Sequence, residues 1–127
     1  MDAEQKKKLE LLKTKAKINE RKQSLQKNLL LQECLEALSS YSIVEDENEI
    51  EHVDSLASSP DSEIHPHADK ITLNDKEQYY IVWDEATLPI VLCSGKKINE
   101  CWDDVMAVAF DTYFVSESTW KVIGIRH

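Results

Sequence analysis

Hydrophobic and polar positions divide the chain into three stretches with different periodicities. Between residues 4 and 38 there is no Gly or Pro, and Lys, Leu, Glu, Gln and Ala dominate, all good helix formers. The pattern predicts one long N-terminal helix. Leu11, Ile18 and Leu25 are spaced by seven, and Leu9, Leu12 and Ala16 add a partial second stripe. Gln32 takes the next heptad place, so the coiled-coil signature is weak. Apolar residues thicken from Leu25 through Leu29, Leu30, Leu31, Cys34, Leu35 and Leu38, which assigns docking to the second half of the helix and leaves the first half a solvated arm. Residues 45–69 hold nine acidic side chains together with Ser58, Ser59, Pro60 and Pro66. That stretch is too polar to bury much surface and reads as an acidic linker or mobile loop. Ile43, Val44, Ile50, Val53 and Leu56 are its apolar footholds, enough for a short helical turn.

From residue 70 the pattern changes to short apolar runs separated by turn residues. Residues 71–73, the turn Asn74-Asp75-Lys76 and residues 79–83 read as a β-hairpin. Residues 90–93 follow Pro89 as a further strand, and Ser94 with Gly95 can start a helix. In that helix Ile98, Cys101, Trp102 and Val105 fall at i, i+3, i+4 and i+7, with Glu100, Asp103 and Asp104 off the stripe. Residues 106–115 form a long β-prone run that sets Val108, Phe110 and Phe114 on one side and Ala109, Asp111 and Tyr113 on the other. Residues 116–118 then make a hairpin loop before a returning strand over 119–125. The expected fold class is α+β: a long N-terminal helix, then a small antiparallel β-sheet with one amphipathic helix packed across it. The expected division is 1–39 helical, 40–69 acidic linker and 70–127 α+β domain. A unit of 58 residues buries only about 60% of its unfolded surface, so it needs the helix over residues 25–38, or a partner, to cover the sheet.

Charge sharpens this picture. The net charge is −9, but residues 1–39 carry nine basic and six acidic groups while residues 40–127 carry six basic and eighteen acidic. Direct binding to nucleic acid is disfavoured, because that affinity comes largely from cations neutralising phosphates. No run approaches the roughly 20 apolar residues that span a bilayer, and no apolar segment of signal-peptide length follows Lys6, Lys7 and Lys8. A cytoplasmic protein without a membrane partner is expected. Cys34, Cys93 and Cys101 are odd in number and lack C-x-x-C spacing, which suits a reducing compartment.

Chemistry-bearing motifs are sparse. Two glycines, Gly95 and Gly124, cannot build a phosphate-cradling loop. His65 and His67 with Cys93 and Cys101 could supply metal ligands, but a solvated His-Pro-His and inert packed thiols are the better reading, so neither metal nor cofactor is expected. A nucleophilic Cys93 or Cys101 would need His52 or His127 alongside it as a base. The pairs Asp84-Glu85 and Asp103-Asp104 do not converge by themselves, since adjacent side chains diverge on helix or strand. Asp111 reads as lying on an exposed sheet face. The chain is therefore read as a binding protein without catalysis. Its aromatics concentrate near the C-terminus, where one or two exposed beside carboxylates would make a hot spot with an acidic rim.

Tyr80-Ile81-Val82-Trp83-Asp84, Leu88-Pro89-Ile90-Val91, Trp102-Asp103-Asp104-Val105, the run from Val108 through Phe110-Asp111-Thr112-Tyr113 and the closing Val122-Ile123-Gly124-Ile125-Arg126-His127 form a pattern. It resembles small bacterial immunity proteins of contact-dependent inhibition and related polymorphic-toxin systems, over residues 79–127. The resemblance implies stoichiometric neutralisation of a cognate toxin domain, with a cationic nuclease among the candidates. Such a partner would be steered in by opposite charge and blocked by carboxylates standing in for phosphates. The expected acidic contacts are Asp84, Glu85, Asp103, Asp104, Asp111 and Glu117, with Trp102 and Tyr113 as anchors. Two other readings share these features. One is a helical adaptor that self-associates through residues 4–38 and displays the acidic domain, and the other is a DNA-mimic inhibitor of a nucleic-acid enzyme. A small hydrolase is the least supported.

Overall fold

The computed structural model describes residues 3, 5, 6, 28–59, 62–67, 70–85 and 88–126. Asn28 is extended (φ −95°, ψ 105°), and its side-chain oxygen accepts the Leu31 N–H at 3.0 Å. This is an N-cap, and helix α1 (Leu29–Leu38) starts from it. The expected long helix is thus shown only for these ten residues, and most of its earlier part lies outside the described residues. Leu31, Cys34, Leu35 and Leu38 form the buried stripe of α1, and Ser39 ends it in the left-handed region (φ 59°). Among the described residues no helix is long and apolar enough to cross a membrane.

The remaining elements are β1 (Ser42–Ile43), α2 (Glu47–Ala57), β2 (Glu63–Pro66), β3 (Gln78–Trp83), β4 (Val91–Ser94), α3 (Gly95–Glu100), α4 (Trp102–Met106), β5 (Thr112–Ser116) and β6 (Val122–Arg126). The strands form one six-stranded sheet in the order β1-β4-β3-β5-β6-β2. The α+β class holds, but the sheet is mixed where an antiparallel one was expected. β2 runs parallel to β6, with Ile64 opposite Gly124 and Pro66 opposite Arg126. Pro66 is tolerated because β2 is an edge strand, where a missing N–H breaks no ladder on the outer side.

Alternation along the central strand explains why both faces need cover. Tyr79, Ile81 and Trp83 point into a core with α1, α3 and α4, contributing to a cluster with Leu31, Leu38, Ile98, Val105 and Phe114. Tyr80 and Val82 point the other way, toward Ile50, Val53 and Ala57 of α2. Helices therefore lie on both sides of the sheet, correcting the expectation of a single helix across one face. Residues 40–69, read from composition as an acidic linker, contribute β1, α2 and β2. Asp46 caps α2 by accepting the Glu49 N–H at 2.9 Å. Burying an Ile and a Val side chain is worth about 1.5–3 kcal/mol each, enough to dock a helix that is otherwise mostly polar.

Three local expectations are also corrected. The amphipathic stripe is buried at Ile98, Trp102 and Val105, but its helix is broken into α3 and α4 at Cys101 (φ −113°, ψ 27°). Residues 71–73 form no strand. Instead the Asn99 amide mimics a strand partner, accepting the Leu73 N–H at 2.9 Å and donating to the Leu73 carbonyl at 2.8 Å. The long strand predicted over 106–115 shortens to β5, since Met106 completes α4 and residues 107–111 form a loop. Val108 is buried in that loop, whereas Phe110, placed by alternation on the same side, is 83% exposed.

Candidate functional site: an acidic rim between two recesses

The end of β3 positions the site. The buried Trp83 indole donates to the Val105 carbonyl at 3.0 Å and anchors the strand to α4. Immediately beyond it the Asp84 N–H donates to the Asp111 carbonyl at 2.9 Å. The Glu85 N–H donates to the Trp83 carbonyl, and the Leu88 N–H to the Glu85 carbonyl. These bonds fix the chain where it leaves the sheet, and Asp84 and Glu85 are both exposed there. On one side they line an open groove of about 820 Å³ with Leu30, Lys70, Trp102, Asp103 and Phe110. On the other they line a recess of about 520 Å³ with Asp54, Val82, Pro89, Tyr113 and Arg126. The two carboxylates thus stand on the rim shared by both concavities.

Electrostatics at this rim are dominated by negative charge. Between described side chains, an ion pair forms at Lys97–Glu100, and the Glu63 carboxylate lies 3.4 Å from the His65 ring nitrogen. Among the described residues none pairs with Asp84, Glu85 or Asp103. Arg126 is the cation of the second recess. Its Nε donates to the Tyr113 hydroxyl at 3.0 Å, and its guanidinium lies 5.8 Å from the centre of the Tyr113 ring. The Tyr113 hydrogen bond, reinforced by the charges of Asp111 and Asp84, raises the Arg126 pKa further and holds the group cationic. Gly124, opposite Tyr113 on β6, leaves room for that ring, because a Cβ there would lie 2.9 Å from it.

The residues singled out from the sequence separate into groups. Asp84, Glu85 and Asp103 meet along the first groove. Asp111 joins them through its carbonyl but precedes β5 instead of lying in mid-strand, a consequence of the shorter strand. Trp102 is 5% exposed and stacks on Phe114 with ring centres 5.6 Å apart, so it forms groove wall and core together. Tyr113 is 8% exposed and walls the second recess. Asp104 is exposed on α4 and close enough to Cys34 and Cys101 to disfavour their ionisation. Glu117 lies at the opposite end of the sheet, where its N–H donates to the Gln78 carbonyl at 3.0 Å. Sequence reasoning missed Lys70 and Arg126 at the recesses and Trp120 beyond them. The strand expected over 119–125 stopped one residue short of Arg126, so its place beside Tyr113 was not legible.

The thiols take no part in this site. Cys34 and Cys93 are buried, and all three cysteines are free. Cys93 donates to the Ser40 carbonyl and Cys101 to the Ala37 carbonyl, tying the sheet and the α3–α4 break to the end of α1. Burial pushes the Cys34 thiol up to about 12, which keeps it protonated and unreactive at neutral pH. Among the described residues no three His, Cys, Asp or Glu side chains form a group that could hold a metal ion.

A comparison with curated proteins finds no match. A family model described as CdiI immunity protein, EcoliA0-like, matches residues 54–127, which include β2 to β6, α3, α4 and the whole acidic rim. That match covers more than half of the chain and contains the stretch whose resemblance the sequence carried, so the chain belongs to the EcoliA0-like CdiI immunity protein family.

Proposed function

We propose that this chain neutralises a cognate toxin domain by stoichiometric binding in the cytoplasm, using the acidic rim at Asp84 and Glu85 as the centre of its contact surface. Family membership supports the toxin-neutralising role. The observation that carries the finer reading is that Asp84 and Glu85 border two concave surfaces while lacking ion pairs among the described residues. Unpaired surface carboxylates are solvated cheaply in the free protein and gain most from a partner that brings cations. Asp103 and Asp111 extend the rim, Trp102 and Tyr113 wall its recesses, and Phe110 offers an exposed ring beside the groove. Asp104 adds outlying negative charge that steers approach more than it holds the complex, and Glu117 stands at the other end of the sheet, away from the rim. A partner fitting this surface is a cationic domain, with a nuclease whose phosphate-binding cleft accepts carboxylates as the leading candidate. Inhibition needs no turnover by this chain.

The test is inhibition of the toxin domain encoded with this chain. Equimolar full-length chain is expected to abolish toxicity, while Asp84→Lys combined with Glu85→Lys is expected to restore it without unfolding the protein, because both side chains are exposed. Inhibition unchanged by the double substitution rejects the rim. A second reading rests on Leu29 and Leu30, which are 72% and 49% exposed at the start of α1. Self-association through the basic N-terminal segment would cover them, and sedimentation of the free chain as a dimer would support it over a monomer.

A further inference from the structure

The side of the sheet covered by α2 carries a second feature, far from the rim along β3. The turn from β5 to β6 is closed by Ser116 N–H to the Lys121 carbonyl and by Trp120 N–H to the Ser116 carbonyl, both at 2.9 Å. These bonds hold Trp120 at φ 61°, in the left-handed region that favours glycine. A bulky residue held there stores backbone strain, and such strain tends to sit where function requires a particular side chain. The indole stacks on Tyr80, with centres 6.1 Å apart and planes within 10°, and meets the His52 ring edge-on at 4.8 Å. It remains 42% exposed, whereas Trp83 and Trp102 are buried at 3% and 5%. Carboxylates flank it: Glu49 accepts the Tyr80 hydroxyl at 3.3 Å, and the charges of Glu49 and Glu117 both act on that hydroxyl.

We propose that Trp120, backed by Tyr80 and His52 and edged by Glu49 and Glu117, is a second contact with the toxin domain and receives one of its arginine side chains. The proposal rests on the toxin-binding reading given above. A planar guanidinium can stack on an exposed indole while its N–H groups meet a neighbouring carboxylate, which the ammonium of lysine does less well. Helix α2 joins this platform to the rim. His52 and Glu49 lie beside Trp120, and Asp54 and Ala57 further along the same helix line the recess that contains Asp84 and Arg126. Glu47, Glu51 and Asp54 on one flank of α2 and Glu49 on the other keep the helix acidic between the two contacts. The separation is within the reach of one partner. Glu117 sits beside Gln78 at the start of β3 and Asp84 follows its end, and six residues of strand extend roughly 20 Å. An interface of ordinary size, about 800 Å² per partner, is roughly 30 Å across.

The test measures affinity of the full chain for the toxin domain encoded with it, by calorimetry, with indole fluorescence as a second readout. Trp120→Asn keeps a residue that tolerates the left-handed region and removes the platform. It is expected to weaken binding by at least about tenfold, the scale of an aromatic hot spot, with the circular dichroism of the fold retained. A loss smaller than about tenfold overturns the proposal. If Trp120→Asn does not fold, Glu117→Lys on the exposed turn decides by the same threshold. Loss on Asp84→Lys with Glu85→Lys but not on Trp120→Asn defeats this proposal alone. Loss on Trp120→Asn but not at the rim leaves it standing and defeats the rim, and an unaltered chain that fails to bind the toxin domain defeats both.

Discussion

Trp83 shows how one side chain can serve both the fold and the site. Its indole N–H reaches the Val105 carbonyl inside the core, and the next residue is the first carboxylate of the rim. Replacing Trp83 with Phe leaves that carbonyl without its donor in a dry environment. We expect a loss of about 1–3 kcal/mol in stability, measured by denaturant unfolding. Titration adds a second expectation at this scale. Burial raises the Cys34 thiol to about 12 and the Tyr80 hydroxyl, with help from Glu49, to about 12, and it also raises Cys93, Cys101 and Tyr79. Below their ordinary values of 9.0 and 10.0 these groups are protonated in both folded and unfolded chains, and the folded state pays nothing for them. Above those values the unfolded chain releases protons that the folded chain retains, so stability declines as pH rises from 9 towards 12. Urea midpoints measured across that range should fall steadily, and a flat profile would contradict the burial of these groups. Single residues were unevenly legible in the sequence. The stripe Ile98, Trp102, Val105 announced its burial because helical spacing leaves few alternatives. Phe110 did not announce its exposure, because strand alternation was extended through a loop that the preceding helix had already taken over.

At the scale of elements, the structure rewards local hydrogen-bonding chemistry over average composition. Asn28 and Asp46 each open a helix by accepting an N–H three residues on. Asn28→Ala is expected to cost about 1 kcal/mol and to loosen α1, which amide exchange of Leu31 to Leu38 would report. Gly95 is a stricter case. Its N–H donates to the Glu77 carbonyl, and a Cβ at this position would lie 2.1 Å from the Asn74 carbonyl oxygen. Gly95→Ala should therefore displace the turn before β3 and destabilise the fold by roughly 1–3 kcal/mol, visible as a lower melting temperature. Helix α2 was legible in the sequence only as a short helical turn, for a related reason. Ile50, Val53 and Ala57 form a stripe, but averaging over residues 45–69 diluted it with acidic side chains and prolines. The parallel pairing of β2 with β6 was hidden, since a four-residue strand ending in Pro66 has little alternation to read and its partner is distant in sequence.

For the whole molecule, the two covered faces leave the ends and edges of the sheet for recognition. Charge was the property most legible from the sequence, because the imbalance of residues 40–127 survives any rearrangement of elements. Which carboxylates meet was not legible, because Asp84 and Asp103 are brought to one groove by the packing of β3 against α4. An acidic surface meeting a cationic partner should associate faster at low ionic strength. Raising salt from about 0.01 to 1 M shortens the screening length from roughly 30 to 3 Å, so the association rate should fall by an order of magnitude or more while dissociation changes less. A rate indifferent to salt would remove electrostatic steering. The most direct measurement is the affinity of the toxin domain for the full chain and for the chain carrying Asp84→Lys and Glu85→Lys together. Tight one-to-one binding that weakens by about a hundredfold or more in the double variant, whose fold is intact, is the expected result for two central charges reversed. Equal affinity for both proteins would contradict it and move the contact surface away from the rim.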